Sequence, residues 1–145
     1  IEEAVKTFEN EKKIVKFLRI LQDVGMGYIT LGQSATTLSG GEAQRIKLAK
    51  ALGTQKQNNT LFVLDEPSSG LHFHDEVKLL ETLGKLNQKG NSIVMVEHDK
   101  NMLKYCDYLI ELGPGGGPEG GKIIARGTLA QIQNDPNSII KDFLN

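Results

Sequence analysis

The sequence is poorest in the residues that would tie it down by covalent or metal chemistry. Of its 145 residues one is cysteine, Cys106, and none is tryptophan. A single cysteine excludes an internal disulfide and any cysteine-built zinc cage within the chain. No apolar run approaches the roughly 18 residues that a membrane-spanning helix requires, and no signal-peptide pattern opens the chain. An excess of charge of one sign is missing too. The 17 Lys and Arg against 18 Asp and Glu leave a formal net charge of -1, without the basic footprint usual for a nucleic-acid binder. The 39% hydrophobic and 24% charged residues are ordinary globular composition, which excludes disorder and collagen-like repeats. The length suits one domain around a single core.

What the chain has in surplus is glycine, 16 residues. The spacing of glycines and apolar residues organises the rest. The chain opens on Ile1 without Met, as expected of a piece of a longer protein. From Glu11 to Val24, Ile14, Phe17, Leu18 and Leu21 recur at helical spacing. Lys12, Lys13, Lys16 and Arg19 fall between them as a solvated basic face. Gly25, Gly27 and Gly32 break the next stretch into loop. A second helix is predicted from Gly41 to about Leu52, burying Ile46, Leu48, Ala49 and Leu52. Gln55 to Thr60 is a polar loop. Leu61–Leu64 is a short apolar run ending in acids, the pattern of a strand buried on both faces in a parallel sheet.

A third helix is predicted from about His74 to Gln88, with Val77, Leu80, Leu83 and Leu86 on its inner face and Gly90 at its end. Ser92–Val96 is a second buried strand. Asp99 is placed to N-cap the helix carrying Met102 and Leu103. Tyr108–Ile110 and Lys122–Ala125 are two more strands, separated by a glycine-rich loop from Gly113 to Gly121. Weak helical patterns around Leu129–Gln133 and Ser138–Leu144 close the chain. Strands alternating with helices predict an α/β fold with a largely parallel core.

Four signals bear on chemistry. The first is a decoy. Gly116 to Lys122 has the form G-x-x-x-x-G-K, and Gly115, Gly117 and Gly120 have the spacing of a dinucleotide fingerprint. A phosphate loop needs Ser or Thr next and then a helix. Here Ile123-Ile124-Ala125 favours a strand, so a turn-rich strand connection is the better reading. The second is Leu64-Asp65-Glu66-Pro67. Two acids end an apolar strand, where open α/β sheets collect ligands. One carboxylate can hold hydrated magnesium, and the other can orient a water for attack on a phosphoryl group. Solvated acids at a polar strand end are the alternative, and this motif alone does not choose.

The third signal is Leu38-Ser39-Gly40-Gly41-Glu42 at the start of the second helix. Ser39 can cap it, the glycines allow close approach, and free N–H groups with the helix dipole favour an anion. A plain capping arrangement is the commoner meaning of such a Ser. The fourth is His98, just past the strand Ser92–Val96 and Glu97. A strand-end imidazole can donate to a phosphate oxygen, although a lone His is more often structural or merely exposed.

Taken in this order, the motifs resemble the ATP-binding-cassette (ABC) ATPases. LSGGE matches their signature, LFVLDEP their Walker B strand, residues 68–72 their D-loop and His98 their switch histidine. The resemblance narrows to the UvrA family of the ABC excinuclease through Val24-Gly25-Met26-Gly27-Tyr28-Ile29, the run from Leu31 to Arg45, Gly70-Leu71-His72-Phe73, Glu97-His98 and Leu112-Gly113-Pro114. It covers about Leu21 to Thr128 and is most like the C-terminal part of the second ATPase module. On that resemblance the whole chain, 1–145, is the C-terminal portion of a partial ABC-ATPase domain, with a mostly parallel sheet flanked by helices. No credible P-loop, glutamine-loop segment or zinc-binding cysteine pair is present in it.

The resemblance implies ATP and magnesium as cofactors, with zinc held only elsewhere in the parent protein. It implies that Asp65 supports magnesium through water, that Glu66 is the general base, and that His98 contacts the terminal phosphate. Ser39, Gly40, Gly41 and Glu42 bind the nucleotide held by a partner module. Gln44 and Arg45 are helix-face residues near that interface. The implied work is nucleotide excision repair: ATP use coupled to recognition of damaged double-stranded DNA and to loading of the excinuclease B subunit. A homodimer, a cytoplasmic location and no membrane contact follow from the same resemblance, as does an inactive fragment when isolated. Alternatives are a UvrA-like paralogue tied to resistance against DNA-targeting drugs, a transporter's nucleotide-binding domain, and a non-catalytic binding domain in which the acids and His98 are structural.

Overall fold

The computed structural model describes residues 1–54, 59–115 and 120–144. Residues 55–58 of the expected polar loop and residues 116–119 of the glycine-rich loop lie outside the described residues. The chain forms two compact units, Ile1–Glu97 and His98–Asn145.

The first unit carries α1 (Glu2–Thr7), α2 (Lys12–Asp23), a short 3-10 turn (Ala35–Thr37), α3 (Gly40–Gly53), β1 (Leu61–Asp65), α4 (Phe73–Gln88) and β2 (Ser92–Val96). β1 and β2 pair in parallel, with Val63 opposite Val94 and Asp65 opposite Val96. A parallel pair needs a crossover, and α4 supplies it. Helix α4 buries Leu79, Leu80, Leu83 and Leu86, and the core continues through Leu64, Leu18, Leu48, Ala49, Val24 and Met26. Gly90, at φ +82, follows the Lys89 cap of α4 in the left-handed conformation that a glycine there adopts without penalty. Asn91 is buried behind it. Its Nδ2 donates to the Leu86 carbonyl at 2.8 Å and its Oδ1 accepts from the Thr60 N–H at 3.1 Å. One side chain therefore ties the end of α4 to the start of β1.

Three sequence expectations change here. Val77 is exposed and Leu79 takes the inner position. The face of α4 is centred on Leu79, Leu83 and Leu86, and Thr82 joins it by donating to the Asp23 carbonyl at 2.9 Å. Of the apolar residues expected to anchor α2, only Leu18 is fully buried. Strands β1 and β2 are not buried on both faces. Leu61, Val63, Val94 and Val96 stand 60%, 71%, 55% and 53% exposed. Successive strand residues face opposite ways, so Leu64 lies against the helices while these four form an uncovered apolar face.

The second unit contains α5 (Lys100–Lys104), β3 (Leu109–Gly113), β4 (Lys122–Gly127), α6 (Leu129–Asn134) and α7 (Lys141–Leu144). Asp99 caps α5 by accepting the N–H groups of Asn101 and Met102 at 2.8 and 3.0 Å. β3 and β4 form an antiparallel hairpin with an irregularity between Glu111 and Leu112. Lys122 begins β4 rather than a helix, so the phosphate-loop context is missing after the G-x-x-x-x-G-K run. Leu109, Ala125, Ile132 and Leu144 make this unit's own core, with Leu103, Cys106, Leu129 and Ile140 around it. Glu111 is buried beside that core. It accepts from the Ser138 hydroxyl at 2.8 Å and from the Ile139 and Ile140 N–H groups at 2.9 and 3.1 Å. One carboxylate thus organises the approach to α7.

Truncating Glu111 leaves those donors without their acceptor. Glu111→Ala is expected to lower stability by about 1–3 kcal/mol, read as a shifted urea midpoint; an unchanged midpoint would show that the three bonds contribute nothing net.

Candidate functional site

The acid-tipped end of β1 is a tightly specified turn. Asp65 and Glu66 are exposed, whereas Pro67 is buried. Glu66 adopts φ +46, a left-handed conformation that costs a non-glycine residue energy and persists only where its surroundings enforce it. The surroundings do so. The Asp65 N–H donates to Gln44 Oε1 at 3.0 Å, the Glu66 N–H to the Val96 carbonyl at 2.9 Å, and the Ser69 N–H to the Glu66 carbonyl at 3.0 Å. Glu97, one residue beyond β2, accepts both the Ser68 N–H and the Ser68 hydroxyl at 2.9 Å. Pro67 has no N–H, so every backbone donor from Asp65 to Ser69 is engaged.

Helix α3 closes on this turn from its N-terminal end. Arg45, only 1% exposed, donates from Nη1 to the carbonyls of Pro67 at 2.8 Å and Ser69 at 3.0 Å. Its Nη2 donates to the Tyr28 hydroxyl at 3.4 Å. Gly41 permits the approach, because a Cβ there would lie 3.1 Å from Arg45 Nη1 and 3.2 Å from the Ser69 carbonyl oxygen. A Cβ on Gly40 would meet nothing within 4 Å. The two signature glycines therefore differ: one is filled against the turn and the other faces open space.

Ser39 caps α3 through a complete capping box. Its hydroxyl accepts the Glu42 N–H at 3.2 Å, and Glu42 Oε2 accepts the Ser39 N–H at 2.7 Å. This leaves the N–H groups of Gly40 and Gly41 as the uncommitted donors of the first turn among the described residues, where the helix dipole favours an anion. Glu42 Oε1 also accepts the Tyr28 hydroxyl at 2.6 Å. The bonds from Tyr28 and from the Ser39 backbone hold the Glu42 carboxyl below the usual carboxylate range. Burial and the bond to Glu42 push the Tyr28 phenol up.

The structure thus gathers Ser39, Gly40, Gly41 and Glu42 at the start of α3, and Asp65 and Glu66 at the end of β1, all within the first unit. His98 is exposed and opens the second unit directly after Glu97. Sequence reasoning missed the parts played by Tyr28, Gln44, Arg45 and Glu97. The available signal was an Arg in phase with the buried Leu48 and Ala49. The exposed carboxylates of Asp65 and Glu66 suit magnesium, which takes one or two carboxylates and otherwise water and phosphate oxygens. The open Gly40–Gly41 helix start suits a phosphate.

Residues 1–69 match the family described as ABC transporter. UvrABC system protein A from Mycoplasmopsis pulmonis is 51% identical over 144 residues, covering 99% of this chain and 15% of that relative. The chain belongs to the UvrA family. Among solved structures, UvrA2 from Deinococcus radiodurans is 41% identical with a TM-score of 0.85, over 99% of this chain and 18% of that one. A nucleotide-free ATP-binding cassette from an ABC transporter, 24% identical with a TM-score of 0.57 over 89% of this chain and 49% of that one, shares the fold. The chain thus spans a small part of the UvrA-family relatives that it matches, and its fold is that of an ABC-type ATPase module. No helix among the described residues is long and apolar enough to cross a membrane.

Two outcomes follow for α3. Gly40→Ala is expected to leave thermal stability unchanged or slightly raised, and Gly41→Ala to lower it by about 1–3 kcal/mol; equal shifts in Tm for the two would contradict the close approach at Gly41. The second concerns pH. Because Glu42 is depressed in the folded state, its contribution is present above the unfolded-state pKa of about 4.3 and is lost as pH falls through the lower folded value. Tyr28→Phe removes the leading cause of that depression. Its destabilisation is expected to be largest at neutral pH and to shrink in acid, checked by urea titrations at several pH values.

Proposed function

We propose that the chain is the C-terminal part of the second ATPase module of a UvrA-type repair protein, and that it contributes pieces of two composite ATP sites. The observation that carries this reading is the enforced turn at residues 65–69, which holds an exposed Glu66 in a strained conformation beside the capped start of α3. Strain maintained by this many bonds at an exposed acid is the mark of a functional position.

In one site Asp65 supports magnesium through water, and Glu66 orients a water and takes its proton. His98 donates toward the terminal phosphate. In the other site Ser39, Gly40 and Gly41 close on the nucleotide held by the partner module, and Glu42 shapes that contact through the cap. When bound, ATP and magnesium supply the phosphoryl group and the charge that these residues act upon. The partner module, a homodimer, damaged double-stranded DNA and the excinuclease B subunit are the corresponding partners, in the cytoplasm, with zinc held in other parts of the protein. The function is damage recognition in nucleotide excision repair, coupled to ATP binding and hydrolysis.

A second reading has its own support. The similarity to UvrA2 leaves room for a paralogue tied to resistance against DNA-targeting drugs, and the domain layout preceding this segment discriminates the two. The transporter reading has less support, because the transporter cassette is 24% identical where the UvrA relative is 51%.

Glu66→Gln in the full-length protein is expected to retain ATP binding and to lose about 10²–10⁴-fold in turnover, the range of a general base. Undiminished turnover would remove Glu66 from that role. The chain expressed by itself is expected to show no steady ATP hydrolysis in a phosphate-release assay; turnover that Glu66→Gln abolishes would contradict this.

A further inference from the structure

We infer that Gln44 and Arg45 are positioning residues for Glu66, so that the helix whose first turn faces one nucleotide sets the geometry of the base that serves the other. The inference rests on the reading of Glu66 as the general base. Glu66 makes its turn at φ +46, and no local feature of Asp65-Glu66-Pro67 supplies a glycine to make that conformation cheap. What enforces it comes from either side. The Val96 carbonyl and the Glu97 carboxylate hold the turn from β2. Helix α3 holds it from the other flank: Gln44 accepts the N–H of the residue before Glu66, and Arg45 grips the carbonyls of the residue after it and of Ser69. Ser69 in turn donates to the Glu66 carbonyl. The guanidinium fork suits this task because its donors leave in fixed directions.

Gln44 and Arg45 lie on the same helix as Ser39, Gly40 and Gly41, three to six residues along. A rigid helix of that length transmits a shift of its first turn to both side chains. A nucleotide engaged at the helix start is then felt as a change in the bonds that hold Glu66, without either side chain touching that nucleotide.

The test uses full-length protein carrying Gln44→Met, which keeps side-chain size and removes the acceptor, and Arg45→Lys, which keeps charge and removes the fork. Gln44→Met leaves the Arg45 bonds in place and guards against a variant that does not fold. Two readouts are taken. Hydrogen exchange of the peptide spanning residues 65–69, without nucleotide, is expected to quicken about tenfold or more, as an opened turn exchanges faster. The kcat is expected to fall about 10–100-fold, the scale of a misplaced catalytic group, with the KM for ATP within about twofold. In a Glu66→Gln background the Gln44→Met loss is expected to vanish, because a residue acting through the base has nothing left to position.

Unchanged exchange at 65–69 overturns the clamp. Losses that multiply in the double variant overturn its action through Glu66 and leave a merely structural role. A fully active Glu66→Gln protein is a different failure, that of the base assignment, and it removes the catalytic half of the inference while the exchange result judges the clamp by itself.

Discussion

The buried guanidinium of Arg45 is the constraint on which the candidate site depends. Removing a cation from water is costly unless its donors are satisfied. Here the donors turn to the Pro67 and Ser69 carbonyls and the Tyr28 hydroxyl. Those acceptors belong to two segments that flank α3, the loop before it and the turn after β1. One side chain therefore joins three stretches that are distant in sequence, and Gly41 is small so that they can meet. The Nε of Arg45 has no partner among the described residues, so the arrangement carries a remaining electrostatic cost. The depressed Glu42 carboxyl, one turn away and charged across the neutral range, helps to offset it.

This joint also explains the two characters of the signature glycines. Glycine is conformationally permissive at some cost in chain entropy, and two in succession at a helix start require a reason. At Gly41 the reason is internal packing against Ser69. At Gly40 nothing packs, and the space is open to whatever approaches. An open position and a packed one thus stand side by side. Ser39 links them by capping the helix while lying exposed beside the open glycine.

Much of this is legible in the residues, and the failures have physical causes. The sequence pattern yields β2 at Ser92–Val96 and α3 within a residue at each end, because Ser39 and Gly53 punctuate a periodic run. The Asp99 cap and the glycine beyond α4 follow from chemistry local to the chain. Val77 and Leu79 both fit an apolar stripe, and the phase is set by packing distant in sequence, to which the Thr82 bond to the Asp23 carbonyl, 59 residues away, contributes. An arginine on a helix face ordinarily means water; the burial of Arg45 arises from carbonyls more than 20 residues away. The strained φ of Glu66 has no signal in the letters, since it results from hydrogen bonds with α3 and β2. The residues of the site are therefore readable as a set of motifs, and the forces that hold them are not.

The uncovered face of the parallel strands has a consequence for the chain taken by itself. Leu61, Val63, Val94 and Val96 offer a strip of branched side chains on a sheet of only two strands among the described residues. Apolar side chains beside open strand edges recruit other chains non-specifically. The chain by itself is therefore prone to associate through this face.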